Sequence, residues 1–205
     1  MENRYAGGCA SCSVWVSAGG GFLGKGVTGG WEVRCATCRF LDDRAAADDF
    51  DPEALELPPV PPAGSAATVA LRVLTLTRPC WACGEATVCL AGLYPQRPAR
   101  GYVGLFTTDS PRTLALARRL LQNHGHAALA ATVRPRYSGT MRKRQLSNGC
   151  SHCDALQGNF PVQEEALGRV AASGVDGLDT LVIADCPVLE WQAVVHGSSG
   201  GVMAI

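Results

Sequence analysis

Residues 68–83 read Thr-Val-Ala-Leu-Arg-Val-Leu-Thr-Leu-Thr-Arg-Pro-Cys-Trp-Ala-Cys, a strand that runs into a metal-binding knuckle. Thr68 to Thr77 is dense in β-branched and aliphatic residues, and Pro79 forces the turn that delivers Cys80 and Cys83. Two cysteines separated by two residues put both thiolates on one tight turn, but they make only half a site. A tetrahedral four-sulfur cage needs a second pair. Three more pairs exist, Cys9/Cys12, Cys35/Cys38 and Cys150/Cys153, so eight of the ten cysteines lie in Cys-x-x-Cys spacing. The expectation is two zinc ions (Zn2+), one held by Cys9, Cys12, Cys35 and Cys38, the other by Cys80, Cys83, Cys150 and Cys153. Four-thiolate sites also hold iron, and a disulfide scaffold is the alternative to metal.

The 66 residues between Cys83 and Cys150 exceed what a simple ribbon needs. A split site tolerates them because loop-closure cost grows only logarithmically with length. A strand at 86–93 completes a hairpin around the first knuckle, and another is expected at 101–106. Ser110-Pro111 opens a helix to about Asn123, with Leu114, Ala117, Leu120 and Leu121 on one face. Residues 127–133 fit strand or helix, 161–172 a helix, 181–184 a buried strand and 189–195 a last strand. The glycine-rich tail 197–205 reads as mobile. The fold class is α+β: a small N-terminal zinc ribbon, then an α+β domain built around a second, split ribbon.

The N-terminal ribbon spans residues 1–40, with Val14-Trp15-Val16 and Trp31-Glu32-Val33-Arg34 as strands and 22 residues between Cys12 and Cys35. So short a module needs a metal staple. Gly19 to Gly26 looks like a phosphate loop but lacks Ser or Thr after Lys25, and reads as a hairpin loop. Residues 41–67 form an acidic, proline-rich linker, and 68–205 the second domain. Cys89 and Cys186 read as small buried hydrophobes, and His124, His126, His152 and His196 as structural rather than ligating.

Around the last knuckle the chain reads Asn148-Gly149-Cys150-Ser151-His152-Cys153-Asp154-Ala155-Leu156-Gln157-Gly158-Asn159-Phe160. This resembles a motif of uncharacterised bacterial (actinobacterial and phage-type) zinc-ribbon proteins, Cys-Pro-x-Cys-Gly-Ala-Leu-Gln-Gly-Asp-Phe. Those proteins carry an upstream Cys-Trp-x-Cys and a Tyr-Ser segment, matched here by Cys80-Trp81-Ala82-Cys83 and Tyr137-Ser138. The likeness covers roughly residues 68–165 and implies zinc ligands at Cys80, Cys83, Cys150 and Cys153. Ser151 departs from the motif's proline, Asp154 from its glycine, and the aromatic pair before the second knuckle is missing. The resemblance implies no activity.

The net charge is zero but unevenly spread. Residues 41–67 hold seven acids against one arginine, 97–144 ten bases against one aspartate, and 145–205 seven acids against one arginine. Sixteen arginines against two lysines fit a GC-rich bacterial or phage genome. The basic middle is the segment to ask about acidic partners. Arg112, Arg118 and Arg119 on the predicted helix, with Arg134, Arg136, Tyr137, Arg142, Lys143 and Arg144, form a candidate nucleic-acid surface for DNA or RNA. A protein-interaction adaptor is the alternative. Enzyme readings are weaker: no His-x-Glu accompanies Pro79-Cys80, and Asp176, Asp179 and Asp185 lack a neighbouring lysine. Ser198, His196 and Asp185 form a triple that any chain offers. No catalytic residue is assigned. With no apolar run of about eighteen residues and no visible secretory signal, the expectation is a cytoplasmic protein without a membrane partner.

Overall fold

The computed structural model describes residues 1–26, 30–39, 67–98, 104–197 and 202–204. The linker expected at 41–67 lies outside them except for Ala67. The chain divides into two compact units: Met1–Ala70 with Pro95–Tyr102 and Asp185–Gly197, and Leu71–Tyr94 with Val103–Ala184 and Ser198–Ile205.

The first unit carries two short antiparallel ribbons. Strands β1 (Gly7–Gly8) and β2 (Trp15–Val16) bracket the first cysteine pair, and β3 (Gly21–Lys25) pairs with β4 (Trp31–Cys35) in the register Gly21↔Cys35 to Lys25↔Trp31. The strand beginning at Trp31 therefore pairs inside the glycine stretch that composition marks as a loop. Glycine is needed there for packing: a Cβ on Gly21 would fall 2.5 Å from the Arg34 carbonyl oxygen. That close approach seats β3 beside the second cysteine pair.

The second unit is built on a five-stranded sheet of order β10-β5-β6-β7-β11. Its strands are β5 (Thr68–Pro79), β6 (Ala86–Pro95), β7 (Gly104–Thr107), β10 (Asp179–Pro187) and β11 (Val202–Ala204). Six residues join β5 to β6, too few for a parallel crossover, so the two form a hairpin with the knuckle at its tip. β7 pairs antiparallel with both β6 and β11. Part of the tail read as mobile is thus an edge strand. Leu71, Val73, Leu74 and Leu76 of β5 and Cys89, Leu90, Ala91 and Leu93 of β6 are buried. Such near-continuous runs mark central strands covered on both faces.

Helix α1 (Pro111–Asn123) begins as its sequence announces. The Ser110 hydroxyl accepts from the Thr113 amide, Pro111 needs no amide partner, and Leu114, Ala117, Leu120 and Leu121 are buried. His124 closes it, its Nδ1 donating to the Leu120 carbonyl at 2.8 Å. Then follow α2 (Ala127–Thr132), the hairpin β8 (Arg134–Ser138) with β9 (Lys143–Ser147), and α3 (Asn159–Ser173), which buries Val162, Ala166 and Val170. The last element, α4 (Val188–Gly197), is a helix where the sequence suggests a strand. Leu189, Trp191, Ala193 and Val195 alternate like a strand, but no residue from Val188 to His196 is exposed. A helix covered all round shows no amphipathic period to read. No described helix is long and apolar enough to cross a membrane.

Candidate metal centres

Three of the four cysteine pairs share one local geometry. In the first, the Cys9 amide donates to the Val14 carbonyl at 2.8 Å and the Ser13 amide returns to the Cys9 carbonyl at 2.8 Å. The second repeats it with Cys80 to Glu85 at 2.8 Å and Gly84 to Cys80 at 2.9 Å, and the third with Cys150 to Ala155 at 2.9 Å and Asp154 to Cys150 at 3.0 Å. The residue after each second cysteine takes the left-handed conformation: Ser13 at φ 60°, Gly84 at 77° and Asp154 at 61°. Only glycine enters that region without cost. Cys35 and Cys38 instead open a helical turn at residues 36–39.

The eight paired cysteines gather into two quartets, Cys9 with Cys12, Cys35 and Cys38, and Cys80 with Cys83, Cys150 and Cys153. Sulfurs about 2.3 Å from a tetrahedral centre lie about 3.8 Å apart. The structure places Cys12 Sγ 3.8 Å from Cys35 Sγ, Cys80 3.6 Å from Cys153, and Cys83 3.7 Å from Cys150. A disulfide would need about 2.05 Å, and every cysteine is free. The separations and the all-thiolate donor sets fit two zinc ions. With four protein ligands each, both centres are closed sites that supply folding energy rather than an open water position.

Four thiolates around one divalent ion leave excess negative charge, and hydrogen-bond donors surround the sulfurs accordingly. In the first centre the Cys35 amide reaches Cys9 Sγ and the Cys38 amide reaches Cys35 Sγ, each at 3.4 Å. Helix α4 completes the shell. Gln192 Nε2 donates to Cys35 Sγ at 3.2 Å, Trp191 Nε1 to the Cys12 carbonyl at 2.8 Å, and His196 Nε2 stands 3.3 Å from Cys38 Sγ. In the second centre the Ala82 and His152 amides donate to Cys80 and Cys150 at 3.4 and 3.3 Å, and Gln157 Nε2 to Cys80 Sγ at 3.2 Å. Each centre thus uses one buried glutamine. Replacing Gln157 or Gln192 with alanine is expected to weaken zinc at its own centre by about 10- to 100-fold, read by competition with a zinc chelator.

The long insertion is closed onto the second centre by Asn148. Its buried side chain accepts from the Leu90 amide at 2.9 Å and donates to the Leu90 carbonyl at 3.0 Å, pairing with β6 beyond the Gly92–Leu93 ladder to β7 as another strand would. The Ser151 amide adds a bond to Thr87 Oγ1 at 3.3 Å. Asp154 ties in the basic hairpin: its carboxylate pairs with both Arg134 and Arg136, and its carbonyl accepts from Arg136 Nε at 3.2 Å. Arg136 also donates to the Ser147 carbonyl at 2.9 Å, and its guanidinium lies where a Cβ on Gly149 would stand.

The hydrogen bond and charge of Arg136, then of Arg134, hold the Asp154 carboxyl below the usual carboxylate range. Its contribution is therefore present above the ordinary carboxylate pKa and disappears as pH falls through the lowered value. Asp154→Asn keeps a residue tolerant of positive φ but removes both ion pairs. It is expected to speed amide exchange across β8–β9 by a few fold, as about 1 kcal/mol of lost exposed pairing requires.

Comparison with family models, with curated proteins and with solved structures returns no match. The geometry alone makes this a zinc-binding protein.

The candidate nucleic-acid residues fall in two places of the second unit. Arg112 and Arg119 are exposed on α1, where Arg118 is half-buried with its Nε lacking a hydrogen-bond partner. On the hairpin, Tyr137 sits directly across from Arg144, both exposed, and exposed Arg142 occupies the turn at φ 51°. Lys143 is opposite Ser138 in the ladder. Arg134 and Arg136 are engaged by Asp154. Among the other singled-out residues, Asp176 pairs with Arg72 at 3.0 Å and Ser198 lies outside the described residues. Cys89 and Cys186 are buried, and burial pushes the Cys89 thiol up to about 12. Sequence reasoning missed Asn148, Gln157 and Gln192 as functional. The first two stand within the motif of the last knuckle, whereas Gln192 carries no local signal.

Proposed function

We propose that this protein is a zinc-stabilised nucleic-acid-binding module whose working surface is the basic segment inserted between the halves of the second zinc site. The observation that supports it most is the Tyr137–Arg144 cross-strand pair, with Tyr137 60 % exposed. An exposed ring beside a guanidinium suits a stacked base and its phosphate. Arg142 adjoins them, and the sequence segment 97–144 to which they belong holds ten bases against one acid. In this reading zinc is structural: it fixes the knuckle whose Asp154 anchors the hairpin. The likeness to bacterial zinc-ribbon proteins belongs to the same proposal, and the Gln157–Cys80 bond gives the glutamine of their Ala-Leu-Gln-Gly string a role. The adaptor reading is favoured by a different observation, the exposed Trp15 and Trp31 on the N-terminal ribbons.

Fluorescence anisotropy with labelled DNA and RNA, single- and double-stranded, at two salt concentrations separates these readings. Binding is expected to weaken steeply with salt. In a variant with alanine at Arg142, Lys143 and Arg144 the slope should fall by up to about 2 on single strands. No binding at low salt contradicts the proposal and leaves the adaptor.

A further inference from the structure

We infer that Trp81, on the first knuckle of the second zinc centre, is a base-stacking residue for single-stranded nucleic acid; this rests on the nucleic-acid reading above. Trp81 lies inside the first knuckle, between two metal-ligating cysteines. Its indole N–H donates across to the Leu156 carbonyl of the other knuckle at 2.6 Å. The ring's one polar atom is therefore satisfied within the protein, yet the side chain is 73 % exposed. Exposed apolar area on an ordered residue is unfavourable until something covers it. The knuckle backbone and the Leu156 bond hold the ring in place, so covering it costs little further side-chain entropy.

Cationic groups lie behind the anchor of that ring. Leu156 bridges to Gly149, against which the Arg136 guanidinium lies. Arg136 and Arg134 share Asp154 on the knuckle side of the hairpin, whereas the Tyr137–Arg144 pair projects from its other face. Exposed Phe160 stands at the start of α3, four residues beyond Leu156. A fixed, exposed indole offers a π-face to an unpaired base. In a duplex the base faces are already covered by their neighbours, so the same ring has nothing to stack on. Trp81 therefore selects single strands.

The test uses the full zinc-loaded chain, a labelled oligothymidylate and a duplex of equal length. The wild type is expected to bind the single strand more tightly. Trp81→Ala should lose about tenfold or more on the single strand, the lower-middle range for one stacked base, with little change on the duplex and two zinc ions retained. Trp81→Phe, which keeps a stacking face, should stay within a few fold of wild type. An unchanged single-strand affinity in Trp81→Ala overturns the inference while the nucleic-acid reading stands, as does an equal loss on both ligands. Absence of binding by the wild type overturns both. Photo-crosslinking of wild type to an oligonucleotide carrying 5-iodouracil gives an answer independent of how the variants fold: the adduct is expected at Trp81, and adducts only elsewhere reject it.

Discussion

Cys12→Ser is expected to unfold the N-terminal unit outright. Among the described residues its apolar core is small: Val16, Val69, Cys186, Trp191 and Val194 are buried alongside the four ligand cysteines. A structural zinc site contributes about 10–16 kcal/mol, against about 5–15 kcal/mol for the net stability of a whole domain. Cys12 is a severe position to change because its sulfur faces Cys35 while its carbonyl receives the Trp191 indole. The result can be read optically. Trp15, Trp31 and Trp81 are exposed, and Trp191 is fully buried. Loss of the site should therefore shift emission to the red as Trp191 meets water, and zinc content should fall by one ion per chain. The sheet unit, with Leu71, Leu74, Leu76, Leu90 and Leu105 in its own core, should keep its cooperative melting transition. Unshifted emission with full zinc content would show that the first quartet is not a metal site.

The two ions should leave at very different rates. All four cysteines of the first centre are buried, whereas Cys83 and Cys153 of the second are exposed. A chelator must reach the metal or its ligands, so the second centre can be attacked in the folded state. The first waits for the unit to open. If that opening costs about 3 kcal/mol, the rates differ by on the order of 100-fold. A challenge with excess chelator is expected to release zinc in two equal phases, with the Trp191 emission shift accompanying only the slow one. A single phase, or an emission shift in the fast phase, would contradict the assignment of a sheltered and an open centre.

The metal centres were legible because ligand chemistry is written in local spacing: Cys-x-x-Cys specifies a knuckle wherever it occurs. Helix α1 was legible for a similar reason, with Ser110 and Pro111 marking its start and a clear apolar face. The strand β3 was not, since glycine content suggests a loop until the close approach of Arg34 to Gly21 is seen. Helix α4 was hidden by its own burial, and with it the part that Trp191, Gln192 and His196 play around a centre whose ligands lie 157 to 180 residues earlier in the chain. Long-range partners of this kind leave no periodic trace. The basic segment shows a further limit. Charge counting groups Arg134 and Arg136 with Arg144, while the structure commits the first two to Asp154 and leaves the Tyr137–Arg144 face to solvent.

The two knuckles of the second centre differ after their second cysteine, Gly84 in one and Asp154 in the other, both at positive φ. An aspartate at positive φ is less comfortable, but its carboxylate links the knuckle to the hairpin that presents the candidate binding face. Metal, knuckle and basic surface are in this way mechanically continuous within one unit.

Metal analysis of the purified chain decides whether it holds two closed four-cysteine zinc centres. The structure predicts two zinc ions per chain, one of them lost on changing a ligand in either quartet. One ion, none, or iron in place of zinc would contradict it.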